Sequence, residues 1–540
     1  MTDSETAAAL DAAIAAILDT KSRAVYDVTI VCTTDDFQAE YWMKRLSEGV
    51  CKKESSDPFP MVLAVSEDWG PGGAGNGLGT LYAYQKSCAL ASKLHGIDLA
   101  SLLKESKVSA ALFHTAGKGT RLAPLPASEN NNKPGVKIPF CHELSDGSNA
   151  PITVLEAVVK QTGIYAPSRR GRLSVYWGDQ VFIPSAPFAY KPTHHIDIMC
   201  TLLGETAPTA EEWVAQGLDK YGVIAVAKGE QRNAAQVEKV DHATAVKMLS
   251  SLGNIGQVGP SLGSFSVSAQ ILKGLCDEYA TELTEKVAKL DTDPHFWMPL
   301  TLPAADYASL MAKKGVEEAD SIAHHSRMAK MKESFDLDGM GLFGAVDVGA
   351  KACWWDYGLV KLYSTNNLKL KDNDADADLL RKFLGVTSRR MYSTIGDSVT
   401  VDEDSCVFGS TISAGSITNS VLAGVKSPEV EADGAIIVNC TAKKIKAGKG
   451  AILYNLIDTS DEGIVAEDGA VRVAVMEESG ESMLLKSKMD IDGGKAWKIV
   501  VEENPMSFEA VHGKNKDSNV TVIEQKRKVI YDAAAASFGL

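Results

Sequence analysis

Hydrophobic positions along the chain fall into two regimes. Before about residue 390, short apolar runs alternate with stretches of helical spacing; from about Asp397 onward, aliphatics return at irregular intervals among small residues. In the first regime Asp27–Cys32, Met61–Val65, Ala110–Phe113 and Leu173–Trp177 read as strands, because each is a short apolar run rich in branched residues. Between them, DDFQAEYWMKRL spaces Phe37, Tyr41 and Leu46 for one helical face. Tyr82–Leu94 reads as an Ala- and Leu-bearing helix, and Ile152–Gly163 as another. Strands alternating with helices predict an α/β fold, a mostly parallel sheet covered on both faces, with ligands collecting at the carboxyl ends of the strands. Tyr221–Val240 has the shape of a hairpin, whereas 283–338 yields only helices and loops. The N-terminal stretch reads as an acidic amphipathic helix capped near Ser4, not as a signal peptide.

In the second regime Val407, Ile412, Ile417, Val425, Val430 and Ile445 recur among Gly, Ala and Ser. Aliphatics that keep returning beside small residues suit the tight coils of a parallel β-helix-like domain. An antiparallel sandwich is the alternative. This divides the chain into 1–390 and 391–540. The second part holds no acid–base constellation, so its expected work is stability or contacts in a homo-oligomer. The tail from Lys516 would cap the coils or pack against a partner.

Composition narrows the function classes. A chain of 540 residues, 45% hydrophobic and 23% charged, has the make-up of an ordinary globular protein with room for two or three domains. A net charge of −15 argues against general nucleic-acid binding, which needs a basic surface, yet leaves room for a local basic pocket. Nine cysteines, an odd number, occur without CxxC pairs or histidine spacing. That pattern points to free thiols and argues against structural zinc. No apolar stretch is long enough to span a bilayer, and a cytoplasmic location is the expectation.

The candidate chemistry centres on ALFHTAGKGTRLAPLPASENNNKPGVKIPF, residues 111–140. Gly117 and Gly119 allow backbone N–H groups to close on an anion. Arg121 adds a planar fork for phosphoryl oxygens and Lys133 a point charge. A Gly-rich turn alone is only a turn, but both cations on one loop make it a triphosphate cradle. The Lys-Ser/Thr ending of a Walker A loop is missing.

GKGTRLAPL followed by Lys133-Pro134 resembles the signature loop of the sugar-1-phosphate nucleotidyltransferases, or nucleotide-sugar pyrophosphorylases. Ala116-Gly117 stands where that family usually has Gly-Gly. The order IVCTTDDFQAEYWMKRL, then NGLGTL, then HTAGKGTR is similar to the fucose-1-phosphate guanylyltransferases, as is His114. The resemblance implies a Rossmann-like sheet in permuted connection. The usual first strand would come third and lie centrally beside the strand ending near Asp179.

The same resemblance implies roles. Gly77, Gly79 and Thr80 would hold the nucleotide with Gly117, Gly119 and Thr120. Arg121 and Lys133 would be catalytic, on the leaving pyrophosphate and the α-phosphate. Gly178-Asp179 and the W-x-D-x-G of Trp354–Gly358, the latter as in ADP-glucose pyrophosphorylases, would place Mg²⁺ on Asp179 and Asp356. Glu238, Lys239 and Gly263 would hold the sugar phosphate. Taken as bare residues, Asp179 and Asp356 also suit turns or helix caps, and Glu238-Lys239 suits a solvated edge pair. His324-His325 reads as a chance surface pair. The implied reaction joins an NTP to a sugar 1-phosphate, releasing pyrophosphate. Fucose 1-phosphate with GTP, and glucose 1-phosphate with UTP or ATP, both remain open. A non-catalytic nucleotide-sugar-binding paralogue, suggested by Ala116, is the rival; an acyltransferase lacks an evident histidine in the second half.

Overall fold

Nine strands build the first sheet of the computed structural model, which describes residues 3–19, 25–53, 55–70, 72–144, 147–229 and 232–540. The strands run in the order Ala234–Glu238, Gly222–Ala227, Ile255–Ser268, Arg172–Trp177, Ala110–His114, Val28–Thr33 and Met61–Ser66. His194–Cys200 and Gly341–Asp347 extend it from Ile255–Ser268. The four apolar runs are buried and pair in parallel, and Ala110–His114 lies centrally, between Val28–Thr33 and Arg172–Trp177. The chain is thus mixed α/β, as expected.

Parallel pairing sends Thr33, Ser66, His114 and Trp177 to one edge. The antiparallel strands bring further residues there. Phe265 pairs with Val175, Pro260 with Val223 and Glu238 with Gly222, so Gly263 and Glu238 reach the same edge. The hairpin expected over Tyr221–Val240 forms as Gly222–Ala227 and Ala234–Glu238.

The helix expected to begin at Tyr82 begins at Gly75 and runs to His95. Gly77, Gly79 and Thr80 therefore sit in its first turns and not in a loop. Helical glycines cost stability, and here the compensation comes from outside the segment. The N–H groups of Gly77 and Leu78 donate to Leu290 O at 2.9 and 3.2 Å, and that of Asn76 donates to Asp291 Oδ1 at 3.0 Å. These bonds satisfy donors that a helix start leaves orphaned. A Cβ on Gly77 would stand 2.8 Å from Leu290 O, so only glycine allows this approach. Nothing within the segment announces a partner so distant in sequence.

Residues 283–338 fold as short helices, Ala304–Ala312 and Glu318–Glu333 being the longest. His324 and His325 are half-buried, which corrects their reading as a surface pair. Their Nε2 atoms lie 2.7 Å from His295 O and 2.9 Å from Leu302 O, tying one helix to the preceding turns.

Beyond residue 390 successive strands alternate between two parallel sheets. One contains Cys406–Phe408, Val421–Ala423, Ile436–Val438, Ile452–Tyr454 and Ala470–Met476; the other contains Thr394–Val401, Thr411–Thr418 and Lys426–Asp433. Parallel pairing replaces the sandwich alternative; only the final pair, Ala470–Met476 with Ser482–Lys488, is antiparallel. A ladder of Ser405, Ser420 and Ala435, in which the Ser420 N–H donates to Ser405 Oγ and the Ala435 N–H to Ser420 Oγ, each 15 residues earlier, marks the repeat. The tail forms a helix, Val520–Ser537, that packs on Asp36–Glu48 and Thr441–Ala442 of its own chain. One hydrophobic cluster runs from Trp42 and Phe140 through Phe408 and Tyr454 to Trp497, so both halves share a core. None of the nine cysteines is in a disulfide. Among the described residues no helix is long and apolar enough to cross a membrane.

Candidate active site

The loop after Ala110–His114 turns through two glycines in the left-handed region, Gly117 at φ +133° and Gly119 at φ +61°. Space beside Gly117 is open, whereas Gly119 lies against the Lys133 stem, with a Cβ position 3.1 Å from Lys133 Cγ. Short turns at Thr120–Leu122 and Lys133–Gly135 then carry Thr120, Arg121 and Lys133.

What holds this loop comes from the far half of the chain. Ser128 Oγ donates to Ala474 O at 2.6 Å and Asn130 Nδ2 to Met476 O at 3.0 Å. Asn131 Nδ2 donates to His512 O, while Asn515 and Arg527 donate back to Ala127 O and Ser128 O. The Gly493 backbone rests on the loop itself, since a Cβ there would lie 2.6 Å from Thr120 O. The second half therefore holds this loop in shape, work that its lack of acid–base residues did not suggest.

Asp179 follows the strand Arg172–Trp177 and leads into Gln180–Ile183, which pairs with Cys353–Asp356 and sets Asp356 opposite Gln180. Tyr357 N donates to Asp179 O at 3.0 Å. The two carboxylates flank Gly358, whose Cβ position is 3.0 Å from Asp179 Oδ2 and from Asp356 Oδ1. Lys133 Nζ donates to Asp179 Oδ2, and Gly358 N to Asp356 Oδ1 at 2.7 Å. Asn366, in the helix Val360–Leu368, donates to Asp356 O. Burial raises the Asp356 carboxyl above its usual range and the Asp179 charge adds to this, with Arg121 and Lys133 opposing. Arg121, Lys133, Asp179 and Asp356 thus form one electrostatic cluster.

This pair fits Mg²⁺, which takes oxygen ligands and commonly uses one or two carboxylates with water and substrate phosphates. Among the described residues no group of three or more His, Cys, Asp or Glu side chains could hold a metal, so substrate oxygens or water would complete the set.

The residues expected to hold sugar phosphate share the sheet edge with that cluster, but no hydrogen bond or ion pair joins them to it among the described residues. Gly263 packs on Trp177, its Cβ position 2.6 Å from the indole Nε1. Glu238 pairs with Lys314 Nζ at 2.9 Å and Lys239 Nζ at 3.3 Å. Burial works to raise the Glu238 carboxyl, but the two ammonium groups outweigh it and hold the pKa below the usual value. Lys239 is largely exposed. Asp293 is pushed up to about 6 by burial, with the Glu238 charge adding to the shift. Lys314 and Asp293 escaped sequence reasoning because they lie in a stretch without strand signals.

Glu67 escaped it too. It directly follows Met61–Ser66 at the same edge, its Oε1 accepts the Ala74 N–H at 2.9 Å, and burial raises its pKa. An acidic pair, Glu67-Asp68, ahead of a Gly-rich stretch was the only signal. His114 Nε2 lies 2.8 Å from Thr80 Oγ1, with the ring tilted on Trp177.

Burial lowers His114 to about 4, so the ring is neutral at physiological pH. The folded state then binds fewer protons than the unfolded one between the ordinary value near 6.5 and about 4. Its contribution to stability is present above 6.5 and lost as pH falls through 4. Unfolding midpoints of the wild type and His114→Gln should therefore converge in the wild type's disfavour on acidification: relative to its value at pH 8, the wild type loses more. Parallel pH curves would refute this.

No protein-family model matches the sequence, and a search of curated proteins finds none that is similar.

Proposed function

We propose that the protein is a sugar-1-phosphate nucleotidyltransferase, joining the nucleotidyl group of an NTP to a sugar 1-phosphate and releasing pyrophosphate. The observation that carries this reading is the convergence of Arg121, Lys133, Asp179 and Asp356 at the carboxyl edge of the sheet. Two cations serve phosphates, and two carboxylates serve a divalent ion; together they suit in-line attack on an α-phosphorus.

In this reading the first half is a permuted Rossmann-like domain, 1–390, and the second, 391–540, a β-helix. The open space at Gly117 accepts the phosphate chain, with Gly119 and Thr120 completing the cradle. Arg121 neutralises the leaving pyrophosphate. Lys133, which shields Asp179 in this conformation, turns to the α-phosphate, where negative charge builds up. Mg²⁺ held by Asp179 and Asp356 would supply further charge neutralisation on the phosphate oxygens. Lys239 orients the attacking phosphate and Glu238 accepts from sugar hydroxyls, with Gly263 giving the ring room beside Trp177. Gly77, Gly79 and Thr80 act through the helix they start, which supports the nucleotide side. No side chain forms a covalent intermediate; positioning and preorganised charge lower the barrier. The protein would act in the cytoplasm, as a monomer or a homo-oligomer joined through its second half.

A nucleotide-sugar-binding paralogue without turnover is the second reading, favoured by Ala116 and by the engagement of the Gly77 N–H with Leu290 O. Pyrophosphate release separates the two. With Mg²⁺ present, each common ribonucleoside triphosphate is tested against fucose, glucose, mannose, galactose and N-acetylglucosamine 1-phosphates. Release in one pairing is the expected result and names base and sugar together. Silence across the panel, with a nucleotide sugar still bound, would favour the paralogue.

A further inference from the structure

On one face of the first sheet, Arg172, Ser174 and Tyr176 alternate along the strand Arg172–Trp177. Arg169 ends the turn Gly163–Arg169 that leads into this strand, and it is 0% exposed. Its Nε, Nη1 and Nη2 have no hydrogen-bond partner, and among the described residues no carboxylate pairs with it. A guanidinium stays charged inside a protein, and a buried charge without acceptors is costly. Two aromatic rings offset part of that cost. The guanidinium carbon lies 5.9 Å from the Tyr165 ring centroid and 5.4 Å from that of Tyr190. A ring face attracts the charge but gives the N–H groups no oxygen.

Neighbouring side chains do not provide one either. Arg172, also buried, donates to Ser266 Oγ and to the carbonyls of His194, His195 and Ser266, and pairs with Asp197 Oδ2 at 3.0 Å. Two buried guanidiniums thus face one carboxylate. Burial lowers the Arg172 pKa and the Arg169 charge adds to this, with Asp197 opposing. The Tyr26 and Tyr176 hydroxyls are taken, 2.7 Å from each other, and Tyr26 donates to Ser174 Oγ at 3.1 Å. By contrast the Tyr165 and Tyr190 hydroxyls are buried without a partner. Tyr190 is held against the turn by its own backbone N–H, which donates to Ser168 Oγ at 2.9 Å.

The unanswered groups are therefore donors, three guanidinium nitrogens and two phenols. The one acceptor near them without a hydrogen bond, Asp197 Oδ2, already sits in the Arg172 ion pair. Water would need acceptors for its own hydrogens and would leave the charge in place. A monatomic anion accepts from every side and neutralises it.

We propose that Arg169 holds a buried halide ion, such as chloride, with the Tyr165 and Tyr190 hydroxyls as further donors. Thermal unfolding of the full chain is followed as sodium chloride replaces sodium gluconate at constant ionic strength. Wild type, Arg169→Met, Tyr190→Phe and Arg121→Ala are compared, the last to exclude halide drawn to the Gly117–Lys133 loop. The midpoint should rise with chloride in the wild type and in Arg121→Ala, as mass action requires of a ligand bound by the folded state. Tyr190→Phe should need about tenfold more chloride for the same rise, the scale of one hydrogen bond to a charged group. Arg169→Met, apolar and of similar length, should not respond. A wild-type midpoint indifferent to chloride, or an Arg169→Met midpoint that rises as the wild type's does, overturns the proposal.

Should Arg169→Met fail to fold, wild-type crystals grown in bromide decide. Anomalous density within hydrogen-bond distance of the Arg169 guanidinium is the expected result. Its absence there overturns the proposal. Density at Arg169 beside a flat wild-type unfolding series would mean binding at crystal concentration only and overturns it too.

Discussion

Asp179→Asn should lower turnover at least about a hundredfold, the scale reported for loss of one preorganised charge in a site of this kind. The substitution keeps the shape of the side chain and removes its charge. Asp179 and Asp356 stand on either side of Gly358, and burial, with the Asp179 charge adding to it, raises the Asp356 pKa. Without Asp179 the site has half its carboxylate charge for a divalent ion, so the Mg²⁺ dependence should move to higher concentration as well. Stability should change little. Lys133 loses its partner, but its side chain keeps 22% exposure and finds water in compensation. Steady-state pyrophosphate release across a Mg²⁺ series, beside a thermal unfolding curve, checks both. Turnover within about threefold of wild type at saturating Mg²⁺ would remove Asp179 from its role.

Glu129→Ala should cost about 3–5 kcal/mol of stability, the range for breaking a buried charge network from one side. The Glu129, Lys137 and Arg527 side chains are 4%, 3% and 6% exposed. Glu129 accepts from Lys137 Nζ at 2.9 Å, from Asn455 Nδ2 at 3.0 Å and from the Tyr454 hydroxyl. Burial works to raise its pKa, but the Lys137 and Arg527 charges outweigh it and hold the carboxylate ionised. Alanine would take the buried carboxylate from two buried cations and two polar donors at once, leaving Lys137 with Gly135 O and Glu524 at 3.5 Å and Arg527 with Ser128 O. Glu129→Gln, which keeps an acceptor, should lose less. Denaturant unfolding of both variants measures the difference; a loss below about 1 kcal/mol for Glu129→Ala would show that the cations find other partners.

Strand positions were legible because buried parallel strands are written as short apolar runs. Asp179 was legible as an acid at a strand end and Asp356 through its W-x-D-x-G motif, but their closeness depends on the pairing of Gln180–Ile183 with Cys353–Asp356, two strands far apart in the chain. Helix Gly75–His95 was misread at its start because its caps, Leu290 and Asp291, are a tertiary gift. The repeat of the second half was blurred for a related reason. Its clearest marker is not an aliphatic period but serines whose hydroxyls accept from the backbone 15 residues on. Lys314, Asp293 and Glu67 carry no local pattern, and contacts across the sheet edge alone give them meaning.

The stitching of residues 127–131 to Ala474, Met476, His512, Asn515 and Arg527 has a consequence for the order in which the molecule comes into being. A ribosome delivers Arg121 and Lys133 long before it delivers the groups that hold their loop. The nascent chain can assemble its central sheet early, yet the loop from Gly117 to Lys133 stays unfinished until the helix Val520–Ser537 has emerged. The alignment that the proposed chemistry needs therefore waits for residues 474–527, and a chain released before them would carry every proposed catalytic side chain without the frame that aligns them.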